Sequence, residues 1–290
     1  MPMEPHPLTP YPPLLINACL TGMVPTKEQS ALLPVTPEEI VADAIRVADV
    51  GAQIVHVHAR DGDGRPTWQA RVYQEILEAI RRERPGLICC VSTSGRLWSE
   101  IEKRTEVLLL DGAARPDMAS LTLGSLNFRS GTHVSSMADI ERLLATMLER
   151  GILPELEAFD LGMLAYARYL QSHGLLGKRL YFNLLLGSLG CIPATIGNLW
   201  AMLQELPDGA VWAGGGIGVF QLPMTAAAIV AGGGVRVGLE DNLHADPGRK
   251  RLASNVDLVQ RVVRIAEDCG RRIATPAEVR DWLGLPAPGR

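Results

Sequence analysis

The chain is expected to fold as a single (β/α)8 barrel, of the α/β class, and three features predict it. Short apolar runs alternate with amphipathic runs eight times along the sequence, the rhythm of βα units around a parallel sheet. The 290 residues suit one barrel, a fold that typically takes about 250 residues and tolerates insertions. A hydrophobic content of 47% is enough for a large buried core.

The first unit is a strand over Leu14 to Thr21 followed by a helix that starts at Thr36-Pro37-Glu38-Glu39. Thr stands at the N-cap, Pro at the first helical position and Glu at the third, which together satisfy the free N–H groups of a helix start. Ile40, Val41, Ala44, Ile45 and Ala48 then repeat at helical spacing, and Gly51 closes the helix. The second unit reads Gln53 to Arg60 and Trp68 to Glu83, the third Leu87 to Thr93 and Ser99 to Leu110, the fourth Met118 to Gly124 and Met137 to Arg150. The fifth is Leu153 to Asp160 and Met163 to His173, the sixth Leu180 to Gly187 and Ala194 to Glu205. Ala210 to Gly215 with Leu222 to Ala231, and Val235 to Asp241 with Asn255 to Cys269, complete the eight; a short helix at Pro276 to Leu283 follows. Residues 1–13 read as a Pro-rich N-terminal arm, and 14–290 as the barrel with a C-terminal helical extension.

A net charge of -4, with both signs mixed along the chain, gives no footprint for a nucleic acid or a membrane. The five cysteines, at 19, 89, 90, 191 and 269, have the spacing of neither a disulfide framework nor a zinc knuckle. Cys89 and Cys90 fall in an apolar run and read as core. The N-terminal stretch lacks the apolar segment of a signal peptide, and Gly and Pro interrupt every apolar run before spanning length. A cytoplasmic enzyme is expected.

In such barrels chemistry sits at the C-terminal ends of the strands. The second strand ends in Val55-His56-Val57-His58-Ala59-Arg60. Residues two apart share a face, so His56 and His58 project together, either into the barrel mouth or outward under the helices. Outward burial would need two separate partners for two imidazoles. The eighth strand ends in Glu240-Asp241-Asn242, close to the first two strands. Two His and one carboxylate with open positions make a standard catalytic zinc set; packed polar core residues are the alternative. His6, His133 and His173 read as surface residues, and His244 as a group behind the site.

Ser92-Thr93-Ser94-Gly95-Arg96, after the third strand, offers hydroxyls and N–H groups to a carboxylate or phosphate, or is an ordinary turn. Ser120 and Thr122 share a face of the fourth strand, and Glu155 and Glu157 share one on the fifth, where Glu157 needs a cation or a function. Arg236 is either a structural partner for Asp241 or the group that holds it as a base. Gly214-Gly215-Gly216-Ile217-Gly218 permits close approach to a ligand or simply a tight bend.

Taken together the chain resembles the β-keto acid cleavage enzymes, of the 3-keto-5-aminohexanoate-cleaving type. The matching stretches are Thr21-Gly22, Pro34 to Glu39, Gly51-Ala52 with His56 to Arg60, and Asp63 to Pro66. Further matches are Ser92 to Gly95, Ala119 to Phe128, Pro154 to Glu157 and Arg236 to Asn242, so the likeness runs through nearly the whole chain. The resemblance implies zinc held by His56, His58 and Glu240, and a carboxylate pocket on Ser92 and Gly95 with Ser120 and Thr122 opposite. It also implies Glu157 as a further site carboxylate, Asp241 as general base and Arg236 beside it. The implied reaction condenses a β-keto acid with acetyl-CoA and releases acetoacetate and a new acyl-CoA by a retro-Claisen step, in an enzyme that is often a homotetramer.

Members acting on an amino substrate carry a Glu shortly after Thr-Gly, where this chain has Val24. An ammonium group facing Val24 lacks an ion-pair partner, so a neutral or apolar chain is expected; Lys27 would favour an anionic one if it faced the pocket. The competing readings are a zinc hydrolase of the amidohydrolase type and a non-catalytic metal-binding barrel. In the hydrolases His-x-His lies on the first strand and further His on the fifth and sixth, which here have none.

Overall fold

The computed structural model describes residues 11–128 and 131–287. Most of the Pro-rich arm, including His6, lies outside the described residues.

Among the described residues eight parallel strands close into a barrel: β1 (Ile16–Cys19), β2 (Ile54–Val57), β3 (Ile88–Val91), β4 (Met118–Thr122), β7 (Leu153–Ala158), β8 (Tyr181–Leu186), β9 (Val211–Gly216) and β10 (Gly234–Val237). β10 pairs back onto β1, so no edge is left open. The remaining pair, β5 (Leu126–Phe128) and β6 (Gly131–His133), forms an antiparallel hairpin after β4 that the apolar rhythm did not announce. Among the described residues eight helices follow the barrel strands, with α1 at Pro37–Asp49, α2 at Ala70–Glu83 and α3 at Ile101–Thr105. α4 spans Met137–Glu149, α5 Leu161–Ser172, α6 Ile196–Glu205, α7 Gln221–Val230 and α8 Asn255–Asp268. The third helix is shorter than expected because a 3-10 turn takes over at Glu106–Leu109.

The capping box read from Thr36 is present: its hydroxyl accepts from Glu39 N, and the Glu39 carboxylate accepts from Thr36 N at 3.2 Å. Strand periodicity then sorts the core into two shells. Outward residues such as Val55, Val57, Cys89, Val91 and Leu156 pack under the helices. Inward residues Ile54, Ile88, Cys90, Met118 and Tyr181 fill the lower barrel. A ninth helix, α9 (Pro276–Leu283), closes that lower end with Val279 and Leu283, while its Arg280 donates to Asp117 at 2.9 Å. Apolar contact therefore fills most of the lower barrel, with the Arg280–Asp117 pair beside it, and the polar groups that line the cavity gather at the C-terminal end. Among the described residues no helix is long and apolar enough to cross a membrane.

β10 ends at Val237, earlier than the sequence suggested, because Gly238 turns the chain at φ 158. A Cβ at Gly238 would stand 2.1 Å from the Cys19 carbonyl oxygen, so only glycine allows this approach. The turn carries Glu240 and Asp241 over the barrel mouth rather than along a strand.

Candidate active site

The mouth opens into a cavity of about 510 Å³. His56, His58, Ser92, Ser120, Thr122, Glu157, Arg236, Glu240, Asp241 and Val24 all line it, and His244 does as well. Of the expected site residues Gly95 alone is not in the lining. It is buried against Arg104 and the Val134 carbonyl, where an added Cβ would meet that oxygen at 3.0 Å. Lys27 does not line the cavity; it pairs at 2.8 Å with Glu39, which removes it as a reason for an anionic chain.

His56 and His58 point inward from the end of β2, with their Nε2 atoms 3.2 Å apart. His58 Nε2 lies 3.3 Å from Glu240 Oε1, and His56 Nε2 lies 3.8 Å from Glu240 Oε2. Donors on a tetrahedral ion with bonds of about 2.0–2.1 Å are separated by about 3.3 Å, so the spacing suits one. Among the described residues Glu240 Oε2 is buried without a hydrogen-bond partner, an expensive state unless a cation completes it. The neighbouring group on His56 agrees. His56 Nδ1 is 2.6 Å from Glu155 Oε2, and a proton held there leaves Nε2 with its lone pair toward the cavity. Glu155 is fixed in turn by Asn17 Nδ2 at 2.6 Å and by the Cys90 thiol at 3.3 Å. Burial pulls His56 down, but Glu155 and Glu240 carry it up to about 9, so ion binding must displace a proton from Nε2. Burial lowers His58. His56, Cys90 and Glu155 form a second cluster of ligand-type atoms, but there Glu155 already bonds His56 and Cys90, which makes it support for the first.

Arg236, fully buried, joins the acidic groups. It donates from Nε to Asp241 at 3.1 Å, from Nη1 to Glu157 at 3.0 Å and from Nη2 to Glu240 at 2.8 Å. A planar guanidinium can serve three such partners at once. Burial raises Asp241 above the usual carboxylate range, with Arg236 opposing, and raises Glu157 in the same way. Thr122 donates to Glu157 at 2.7 Å, and Ser120 Oγ accepts from Thr93 N at 3.2 Å. The sequence left Arg236 open between structural partner of Asp241 and holder of a base; its geometry joins it to Asp241, Glu157 and Glu240 alike.

The glycine run mostly serves packing: Cβ atoms at Gly214 and Gly216 would strike Ala228 at 2.8 Å and the Phe220 carbonyl at 2.2 Å. Only Gly218 of the four reaches the cavity wall. The loop bearing Val24 is tied down by Arg60, whose Nη2 donates to the carbonyls of Gly22 at 2.7 Å and Pro25 at 2.8 Å.

His133 corrects the sequence reading. It is buried, not a surface residue, because the β5–β6 hairpin folds it against the cavity, with Nε2 2.8 Å from Ser135 Oγ. Burial, helped by the charges of Arg104 and Arg96, pulls it down to about 4. A depressed histidine binds its proton better when unfolded. The stabilisation is therefore complete above the unfolded value of about 6.5 and is lost as pH falls toward 4. By pH 5 the loss is about 2 kcal/mol. Urea unfolding at pH 8 and pH 5 should show this drop in the native chain and little of it in His133→Gln.

The chain as a whole is similar to known proteins. A family profile described as beta-keto acid cleavage enzyme matches residues 13–285. The 3-keto-5-aminohexanoate cleavage enzyme of Fusobacterium nucleatum is 38% identical over 273 residues, 94% of this chain and 98% of that protein. The 3-oxoadipate:acetyl-CoA acetyltransferase of Cupriavidus necator is 36% identical, over 95% of this chain and 96% of that one. Among solved structures, apo ObcA shares the fold with a TM-score of 0.79 at 24% identity, covering 88% of this chain and 66% of its own. With a matched profile over nearly its full length and relatives of this similarity, the chain belongs to the β-keto acid cleavage enzyme family.

Proposed function

We propose that this protein is a zinc-dependent transferase that converts a β-keto acid and acetyl-CoA into acetoacetate and a new acyl-CoA. The observation that carries the reading is the convergence of His56, His58 and Glu240 beside an arginine-held Asp241 in one cavity. The names of the relatives, which include an acetyl-CoA acetyltransferase, support the reaction type.

His56, His58 and Glu240 would hold the zinc, which as a Lewis acid would draw electron density from the keto oxygen. Ser92, with Ser120 and Thr122 across the cavity, would orient the substrate carboxylate; Gly95 is not offered for contact. Asp241 would take the proton from the carbon between the keto and carboxylate groups. That carbon attacks the acetyl carbonyl and expels coenzyme A thiolate. Addition of the thiolate to the original keto carbon breaks the bond to the acetoacetyl unit, which regains its proton from Asp241. Arg236 would keep Asp241 aimed, and Glu157 would keep Arg236 in place.

The cavity lining includes Val24, Met23, Leu126 and Phe128, and the absence of an acid at Val24 favours a neutral or apolar chain on the keto acid. A cytoplasmic homotetramer completes the proposal. The test is incubation with acetyl-CoA and β-keto acids bearing neutral, anionic or cationic chains. Acetoacetate and the matching acyl-CoA should appear, vanish after chelation and return with zinc. Silence across the panel with zinc-loaded protein would remove the reading.

A further inference from the structure

Three features of the loop after β10 point the same way. Arg249 lines the cavity and is the single non-glycine residue with positive φ among the described residues, at φ 55. Such a conformation costs on the order of 1 kcal/mol and persists only where the surroundings impose it. Here Asp246 imposes it. Its carboxylate accepts from Lys250 N at 3.1 Å and Arg251 N at 2.7 Å, and its carbonyl accepts from Arg249 N at 3.1 Å. The only acid of the turn is thereby spent on backbone.

The second feature is charge. Arg249, Lys250 and Arg251 are consecutive and exposed, and among the described residues no salt bridge within 4 Å joins them to a carboxylate, although Asp246 and Asp257 both feel the charge of Arg251. Arg261 and Arg264 on α8 extend the patch: partial burial holds Arg261 below the usual arginine range, and the charges of Arg251 and Arg264 lower it further. In a chain of net charge -4 such a cluster calls for an anion.

The third is position. The Asp241 carbonyl accepts from Gly218 N at 2.7 Å, and Arg249 Nη2 lies 3.7 Å from where a Cβ on Gly218 would stand. Gly218 therefore stands on the cavity wall next to both the Asp241 backbone and the Arg249 guanidinium.

We infer that Arg249, with Lys250 and Arg251, forms the rim site for the phosphate groups of the coenzyme A thioester. The site takes phosphate on a nucleotide at the end of a long neutral arm, and it rests on the acetyl-CoA reading above. The arm would lie along the Gly218 wall with its thioester at Asp241. Anchoring outside the cavity leaves the inner volume to the keto acid and explains why a strained arginine is kept at its edge.

The experiment is calorimetric binding of coenzyme A and of pantetheine, which lacks the nucleotide and its phosphates, to the zinc-loaded protein. The variants are Arg249→Gly, which relieves the positive φ and so keeps the fold, and Lys250→Gln with Arg251→Gln. Coenzyme A should bind the native chain at least about tenfold tighter than pantetheine, and Arg249→Gly should lose about tenfold for coenzyme A alone. The preference should shrink with added salt. Equal binding of the two ligands by the native chain overturns the inference, as does unchanged coenzyme A binding by Arg249→Gly. So does a loss that appears instead in the binding of the keto acid. Acetoacetate production, measured separately, judges the reaction itself.

Discussion

Asp241→Asn is expected to cut turnover by about 10²–10⁴ while stoichiometric zinc stays bound. The substitution preserves shape, and the amide oxygen can still accept from Arg236 Nε, which now donates to the carboxylate at 3.1 Å. What disappears is the ability to take a proton. Burial already lifts Asp241 above the usual carboxylate range, which brings a base closer to neutral pH and improves its proton affinity. Its backbone is held by Gly238 and Gly218, so the amide should sit where the acid sat. Steady-state kinetics with metal analysis on one preparation decide it. Near-native turnover would take the base away from Asp241, and loss of zinc would make it part of the metal's support.

Arg236→Met should destabilise the protein by about 3–5 kcal/mol, because removing one partner of a buried ion cluster strands the others. Asp241, Glu157 and Glu240 all take a hydrogen bond from this guanidinium, and Glu155 lies 3.8 Å from Nη1. Methionine fills much of the space but leaves those carboxylates facing one another in a buried setting. Arg236→Lys should recover only part of the loss, since one ammonium cannot reach three carboxylates fixed around a planar fork. Urea unfolding of all three proteins at one pH measures the effect. A Met variant within about 1 kcal/mol of the native chain would show that the acidic groups do not depend on Arg236.

Much of this is legible in the amino-acid sequence. The barrel followed from periodicity, since Val55 and Val57 pack outward while His56 and His58 point inward. That alternation is a local property of a strand. Glu240 and Asp241 were legible as residues at the barrel mouth, though their turn depends on Gly238 meeting the Cys19 carbonyl, a contact across strands. The pairing of His56 with Glu155 joins residues 99 apart and cannot be read from spacing; the signal was only that Glu155 shares a face with Glu157. The β5–β6 hairpin escaped because its strands have three residues each, too short to show a period. His133 was misread with it: in a polar stretch a lone imidazole looks exposed, and tertiary folding buried it.

The hold of Arg60 on the first loop has a wider consequence. Its guanidinium donates to the main-chain oxygens of Gly22 and Pro25, on either side of Met23 and Val24, so the fastening is made to backbone. The fastening is therefore blind to which amino acids stand between its two anchor points. Residues tried there leave that fastening in place, so under the proposed function the cavity wall can be varied while the hold on its rim is kept.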